Sequence, residues 1–377
     1  MVKNSTLKTD GAGVAESSDQ QSWARLAAAV SRHVHEVRRA GLAGPVLESA
    51  VQLERQLGLE LQLRAARFDV RDDPVVAAVE AWMRESADER DRVKVLCGVR
   101  GSWKSVLFSR FRTRLLEEGT DPDEVVYVNF ETMHFRRLKT SADVLRFLSV
   151  YRTDRVRHLF LDGVTRLNEF SRLFPALLAS GRWNVWMTTS NRKCVEMVAD
   201  HALVHHTFPP RLGARDPATL ERLWNTMFLL DVPFGQRHID LRSHAALIEY
   251  LSDHMGEELT ARGISRDLQA HGVTISPNSV KSYVAALDDA YMLLVLECWD
   301  LFEDCVVGPA LKIFASDLEM RAHRFGAYPP AEAWRDRLSE LALRLAREYP
   351  RVYFTREPGV DFVTFDAAGH LRRWSVE

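Results

Sequence analysis

Gly98-Val99-Arg100-Gly101-Ser102-Trp103-Lys104-Ser105 keeps the spacing GxxxxGK[ST], except that tryptophan stands where the second glycine belongs. The chemistry of that spacing is the holding of nucleotide phosphates. Backbone N–H groups wrap the phosphates, the lysine reaches the outer ones, and the hydroxyl residue supports Mg²⁺. Lys104 and Ser105 provide the last two functions, and Gly98, Arg100, Gly101, Ser102 and Trp103 would form the cradle. Glycine suits the second position because the backbone must approach phosphate closely and can take a positive φ, both of which a Cβ obstructs. Trp103 therefore decides whether the loop still accepts a ligand.

A second nucleotide signature is an apolar strand ending in an acid that supports Mg²⁺, often followed by a glutamate that orients the attacking water. Val156-Arg157-His158-Leu159-Phe160-Leu161-Asp162-Gly163 gives the strand and the acid, with glycine in place of the glutamate. Glycine cannot polarise water, and Glu169 lies six residues further on. Trp183 to Asn191 ends in Thr188-Thr189-Ser190-Asn191, where Asn191, Ser190 or Thr189 could sense the γ-phosphate or simply close a strand and open a turn.

The elements that must position these residues follow from periodicity. Val93-Lys94-Val95-Leu96-Cys97 and Val125-Val126-Tyr127-Val128-Asn129-Phe130-Glu131 read as buried strands, the second with an acid at its end. Val106 to Glu118 and Phe170 to Ala179 read as helices. Strands alternating with helices predict an α/β fold, a parallel sheet with helices on both faces. Ligands on such sheets sit at the carboxyl ends of the strands, where the polar residues fall.

With these motifs in order, residues from about 66 to 377 resemble prokaryotic AAA-type ATP-binding proteins. In those a P-loop ATPase core is followed by a winged helix and a restriction-endonuclease-like domain. The resemblance is carried by Gly98 to Ser105 with Val106-Leu107-Phe108, by Leu159-Phe160-Leu161-Asp162, by Thr188 to Asn191, by the helical stretch below, and by Gly359-Val360-Asp361-Phe362-Val363. It implies ATP and Mg²⁺ as ligands, the latter through Ser105 and Asp162. The family usually has glycine at Trp103, glutamate at Gly163, glycine at Thr189, and a glycine-arginine pair where this chain reads Val198 to Val204. Arg192 or Arg211 could stand in for that arginine, or form a surface salt bridge. These departures imply a degenerate ATPase.

Beyond the core, Ala246 to His254, Thr260 to Ala270 and Asn278 to Leu287 read as three helices, the last with Ser276 as N-cap and Pro277 at its first position. Tyr291 to Cys298 reads as a wing or its strand, completing a winged-helix pattern. Only Lys281 is basic on the third helix, with Arg262 and Arg266 before it, so residues 276–298 favour a structural role or a protein contact over DNA. Leu311 to Asp317 reads as a strand, Ala331 to Glu348 as a helix, and Val352 to Thr355, Val360 to Phe365 and Leu371 to Val376 as short strands. A two-metal nuclease needs an acid and then an acid-x-lysine. Asp361 and Glu340 are acids, but Trp374-Ser375-Val376-Glu377 offers no such lysine, which points to a small α/β domain with a solvated acid.

Residues 1–20 are polar and read as a disordered tail. Residues 21–65 are a helical extension, on which His33 and His35 diverge around the helix and so suit a solvated face better than a metal. Residues 66–210 form the ATPase-like domain, 211–298 a linker with the winged helix, and 299–377 the reduced nuclease-like domain. The chain has 377 residues, 46% hydrophobic, with 52 acidic against 50 basic side chains and a net charge of −2, which gives no global attraction to nucleic acid or membrane. Cys97, Cys194, Cys298 and Cys305 have no paired spacing and fit reduced thiols in a cytoplasm. The expectation is an ATP-binding protein with weak or absent hydrolysis, its nucleotide setting the domain arrangement. The alternative is a nucleotide-independent scaffold acting through a protein partner, a second copy or, less favoured, DNA.

Overall fold

The computed structural model describes residues 74–376, apart from 122–123, 132–134, 136–137, 150–156, 208–214 and 235–239. The expected tail, the helical extension with His33 and His35, and Arg211 lie outside the described residues. The chain gathers into two compact units. One holds the described residues up to Leu96 with Trp103–Thr189 and Cys194–His205, and the other holds Cys97–Ser102, Ser190–Lys193 and the described residues from His206 onward.

The five strands β1 (Val93–Gly98), β2 (Val125–Asn129), β3 (Arg157–Asp162), β4 (Trp183–Thr189) and β5 (Ala202–Thr207) form one sheet in the order β2-β3-β4-β1-β5. β3 runs parallel to both β2 and β4, with Asn129 opposite Asp162 and Leu161 opposite Met187. Every residue of β1 and β4 is buried, as strands covered on two faces require. The order places β1 between β4 and β5, whereas β2 and β3 lie beyond β4. This is a reversal of the kind at which open α/β sheets bind ligands.

Helix α1 (Pro74–Glu85) precedes β1, and α2 (Lys104–Glu117), α3 (Ser141–Leu148), α4 (Leu173–Ala179) and α5 (Arg192–Glu196) connect the strands. Helix α2 buries Leu107, Phe108, Phe111 and Leu115, the helical spacing of one face. Phe108 lies edge-on to Phe160 of β3 at 5.1 Å, and Phe160 stacks on Trp186 of β4 at 5.9 Å. Each of these fully buried rings contributes roughly 2–3 kcal/mol through area removed from water. The packing holds the start of α2 over the ends of β3 and β4. Helix α3 opens on a capping box, in which the Thr140 hydroxyl accepts from Asp143 N while the Asp143 carboxylate accepts from Thr140 N.

In the second unit α6 (Pro217–Thr226) continues into a π-helical turn, Met227–Asp231. Then come α7 (Leu241–Asp253), α8 (Ala261–Ala270), α9 (Pro277–Asp289) and the antiparallel hairpin β6 (Leu293–Asp300) and β7 (Cys305–Ala315). Ser276 caps α9 by accepting from Ser279 N at 3.0 Å, with Pro277 at the first position as expected. Helix α7 starts at Leu241 rather than Ala246, because the Asp240 carboxylate accepts from the N–H groups of Arg242 and Ser243. The chain ends with α10 (Leu318–Phe325), α11 (Trp334–Glu348), β8 (Arg351–Phe354), β9 (Phe362–Phe365) and β10 (Leu371–Trp374). These strands join the hairpin in the order β10-β9-β8-β6-β7 around Phe314, Leu338, Ala342, Phe354 and Phe362. Among the described residues no helix is long and apolar enough to cross a membrane.

Candidate nucleotide site

The loop after β1 enters α2 through left-handed backbone, without the second glycine of the motif. Gly101 has φ +84°, and Trp103, directly before α2, has φ +64° and ψ +15°, a left-handed conformation. For a residue with a Cβ that conformation costs about 1–2 kcal/mol. Trp103 thus takes the shape that glycine would take freely, and its carbonyl accepts the first helical bond, from Leu107 N at 2.9 Å. Gly98 cannot be replaced, since a Cβ there would overlap the Thr207 carbonyl. The Ser102 hydroxyl shares a hydrogen bond with the Thr207 hydroxyl at 2.7 Å, and Thr207 in turn donates to the Cys97 carbonyl at 3.1 Å.

Two of the candidate residues converge on a partner that the sequence did not single out. Arg100 donates twice to the carboxylate of Asp231, at 2.8 Å each, and Asp231 is 1% exposed. The Asn191 amide donates to the Asp231 carbonyl at 3.1 Å, while its oxygen accepts from Lys193 N at 3.0 Å. Arg100 therefore braces the loop, and Asn191 opens α5. Arg192 pairs with Asp288 at 2.6 Å, a half-exposed ion pair of the bland kind considered for it.

The other candidates meet at the carboxyl ends of β2, β3 and β4. Asp162 is buried and accepts hydrogen bonds from the hydroxyl groups of Thr188 of β4 and, at 2.7 Å, Tyr127 of β2, with the Ser105 hydroxyl of α2 close enough to act on its charge. Thr188 Oγ1 also accepts from Gly163 N at 2.9 Å, and Asn129 Nδ2 donates to Tyr127 Oη at 3.1 Å. Burial pushes the Asp162 carboxyl above the usual range. The Thr188 hydrogen bond opposes that, the Glu131 charge adds to it, and the Ser105 and Tyr127 hydroxyls oppose it again. The Arg112 guanidinium of α2 lies over the Tyr127 ring at 4.0 Å. Lys104 is 8% exposed, at the first position of α2 beside the exposed Ser105.

A hydroxyl beside a carboxylate offers the hard oxygen donors that Mg²⁺ prefers, and Ser105 and Asp162 fit that pair. Thr188, Tyr127 and Asp231 are the polar partners that motif reading missed. Thr188 lies in the polar run Thr188 to Asn191. Tyr127 alternates onto one face with Asn129, the strand signal that could have found it. The second-unit acids differ in setting. Asp361 Oδ2 accepts from Val376 N at 2.7 Å, and Glu340 is exposed on α11. Among the described residues no three His, Cys, Asp or Glu side chains group as metal ligands.

Residues 90–207 match the model of a family described as an AAA domain. An uncharacterised protein of Haemophilus influenzae is 20% identical over 281 residues, covering 63% of this chain and 70% of the relative. C. elegans PCH-2 is 14% identical with a TM-score of 0.27, over 57% of this chain and 66% of the PCH-2 chain, just under two thirds of the latter. Drosophila ORC, solved bound to AT-rich DNA and Cdc6, is 8% identical with a TM-score of 0.25, over 66% and 92%. These structural likenesses are too distant to carry an argument. The family match and the parallel sheet give residues 90–207 an AAA-type, ATPase-like fold.

Proposed function

We propose that this protein binds Mg²⁺-ATP and hydrolyses it slowly or not at all. The observation that carries the reading is the Ser105 hydroxyl close to Asp162 and next to Lys104, at the start of a helix entered through a left-handed Trp103. Lys104 would hold the outer phosphates and Ser105 and Asp162 the Mg²⁺, which when bound neutralises phosphate charge. Thr188 and Tyr127 keep the Asp162 carboxylate oriented. Slow turnover is supported by Gly163, which stands where the strand-end acid is ordinarily followed by a water-orienting glutamate.

The test is the thermal unfolding midpoint with and without Mg²⁺-ATP, in the natural protein and in Lys104→Ala. Ligand at about a hundred times its dissociation constant stabilises the folded state by roughly 2.7 kcal/mol, a shift of a few degrees. A shift that Lys104→Ala abolishes supports the reading. No shift in the natural protein overturns it in favour of a nucleotide-independent scaffold. That second reading is motivated by the loop's internal bracing, in which the Arg100 guanidinium already holds the buried Asp231.

A further inference from the structure

Position 163 lacks a side chain, but the space beside it is filled. Gly163 has φ +71°, and a Cβ built there would lie 3.0 Å from both Cδ and Oε1 of Glu131 and closer still to Cγ. The carboxylate of Glu131 therefore stands in the volume that a side chain at 163 would enter. The register explains how it arrives. β2 and β3 pair with Asn129 opposite Asp162, and the pairing continues as Phe130 N donates to the Asp162 carbonyl at 2.9 Å. The next residue is Glu131, and its own N–H donates to Asn129 Oδ1 at 2.9 Å, which turns the chain at this point. Glu131 is exposed, so water reaches it, and its charge acts on Asp162.

We infer that Glu131, from the neighbouring strand, orients and deprotonates the attacking water in place of the side chain that Gly163 lacks. The inference rests on the proposed Mg²⁺-ATP site and names the base of that site. Water oxygen bonds to the γ-phosphorus while one of its protons passes to the Glu131 carboxylate. The bond from γ-phosphorus to the bridging oxygen breaks, its electron pair leaves with ADP, and the proton returns to solvent. ADP and inorganic phosphate are the products. Gly163 becomes a requirement in this arrangement, because any larger residue would displace the Glu131 side chain.

The test compares the full chain with Glu131→Gln and, as control, Glu169→Gln, whose native carboxylate pairs with Arg172 at 2.9 Å. Three readouts are taken: Mg²⁺-ATP affinity by equilibrium dialysis, phosphate release, and the identity of the nucleotide retained on the protein. Glu131→Gln should bind Mg²⁺-ATP within about twofold of the natural protein, lose phosphate release by on the order of 100-fold, and retain ATP where the natural protein retains ADP. Glu169→Gln should change none of these. Unchanged phosphate release in Glu131→Gln, or binding without any release in the natural protein, overturns the role of Glu131 and leaves the nucleotide site standing. Absence of Mg²⁺-ATP binding in the natural protein overturns both.

Discussion

Asp162 and Asp361 occupy the same kind of place in the sequence, an acid beside a short apolar strand, yet their surroundings differ in kind. Asp162 is 3% exposed and receives hydroxyl groups from β2 and β4, with the Ser105 hydroxyl of α2 close by. Asp361 is half-buried, its carboxylate takes a backbone N–H from Val376, and its own N–H and C=O pair with Trp374 and Thr355. Side-chain donors converging from separate elements make a candidate site, whereas backbone donors from adjacent strands make a pin. The parallel sheet produces the first arrangement because its strands all end on one edge, bringing residues distant in sequence together. The second sheet is mostly antiparallel, and its strands end alternately on opposite edges.

The largest test of this contrast is Asp162→Ala against Asp361→Ala. Removing Asp162 leaves the buried Tyr127 and Thr188 hydroxyls without their acceptor, at roughly 1–3 kcal/mol each, so the apo protein should lose on the order of 4 kcal/mol. Any stabilisation by Mg²⁺-ATP should vanish as well. Removing Asp361 should cost about 1 kcal/mol and leave the Mg²⁺-ATP shift intact. Denaturant unfolding with and without nucleotide reads both effects. An Asp361→Ala variant that lost the nucleotide shift would break the comparison.

Lys94 sharpens the contrast by separating burial from site membership. It is 0% exposed on β1, donates to Asn184 Oδ1 at 2.7 Å and to the Glu89 carbonyl, and burial lowers its pKa from 10.5 to about 8. A lysine with a lower folded pKa binds fewer protons folded than unfolded between those values. Stability must therefore rise as pH increases from about 8 towards 10.5, where the unfolded chain also releases the proton. The full effect is on the order of 3 kcal/mol. Lys94→Met should remove that slope relative to the natural protein while leaving nucleotide binding unchanged, as measured by urea midpoints across the pH series.

How far the sequence reveals all this depends on whether the deciding contact is local. Ser276 with Pro277 announces α9 because a cap and its helix are neighbours in the chain. The start of α7 was missed because Asp240 reads as linker until its carboxylate is seen on two N–H groups. Helix α10 was missed for the same reason, since its cap Asp317 looked like the end of a strand. Lys104, Ser105 and Asp162 were legible through motif spacing. The Tyr127 and Thr188 bonds and the approach of Glu131 to Gly163 depend on strand order and register, and the Arg100–Asp231 pair on the meeting of a loop with a π-helical turn, none of which a single stretch of sequence encodes.

The finest test concerns the backbone of Trp103 alone. Substituting Trp103 removes a half-buried indole whatever replaces it, so comparison with the natural protein mixes packing with conformation. Comparing Trp103→Gly with Trp103→Ala isolates the backbone, because both variants lack the ring. At φ +64° alanine bears a left-handed cost of about 1–2 kcal/mol, against roughly 0.5–1 kcal/mol of extra unfolded-state entropy for glycine. The glycine variant should therefore be the more stable of the two by about 0.5–1 kcal/mol. At Ser109, inside α2, the order should reverse, with alanine ahead of glycine by about 1 kcal/mol. Equal ranking at both positions would mean that the loop relaxes out of the left-handed conformation once the indole is gone. The tryptophan, rather than the fold around it, would then be what holds the loop in shape.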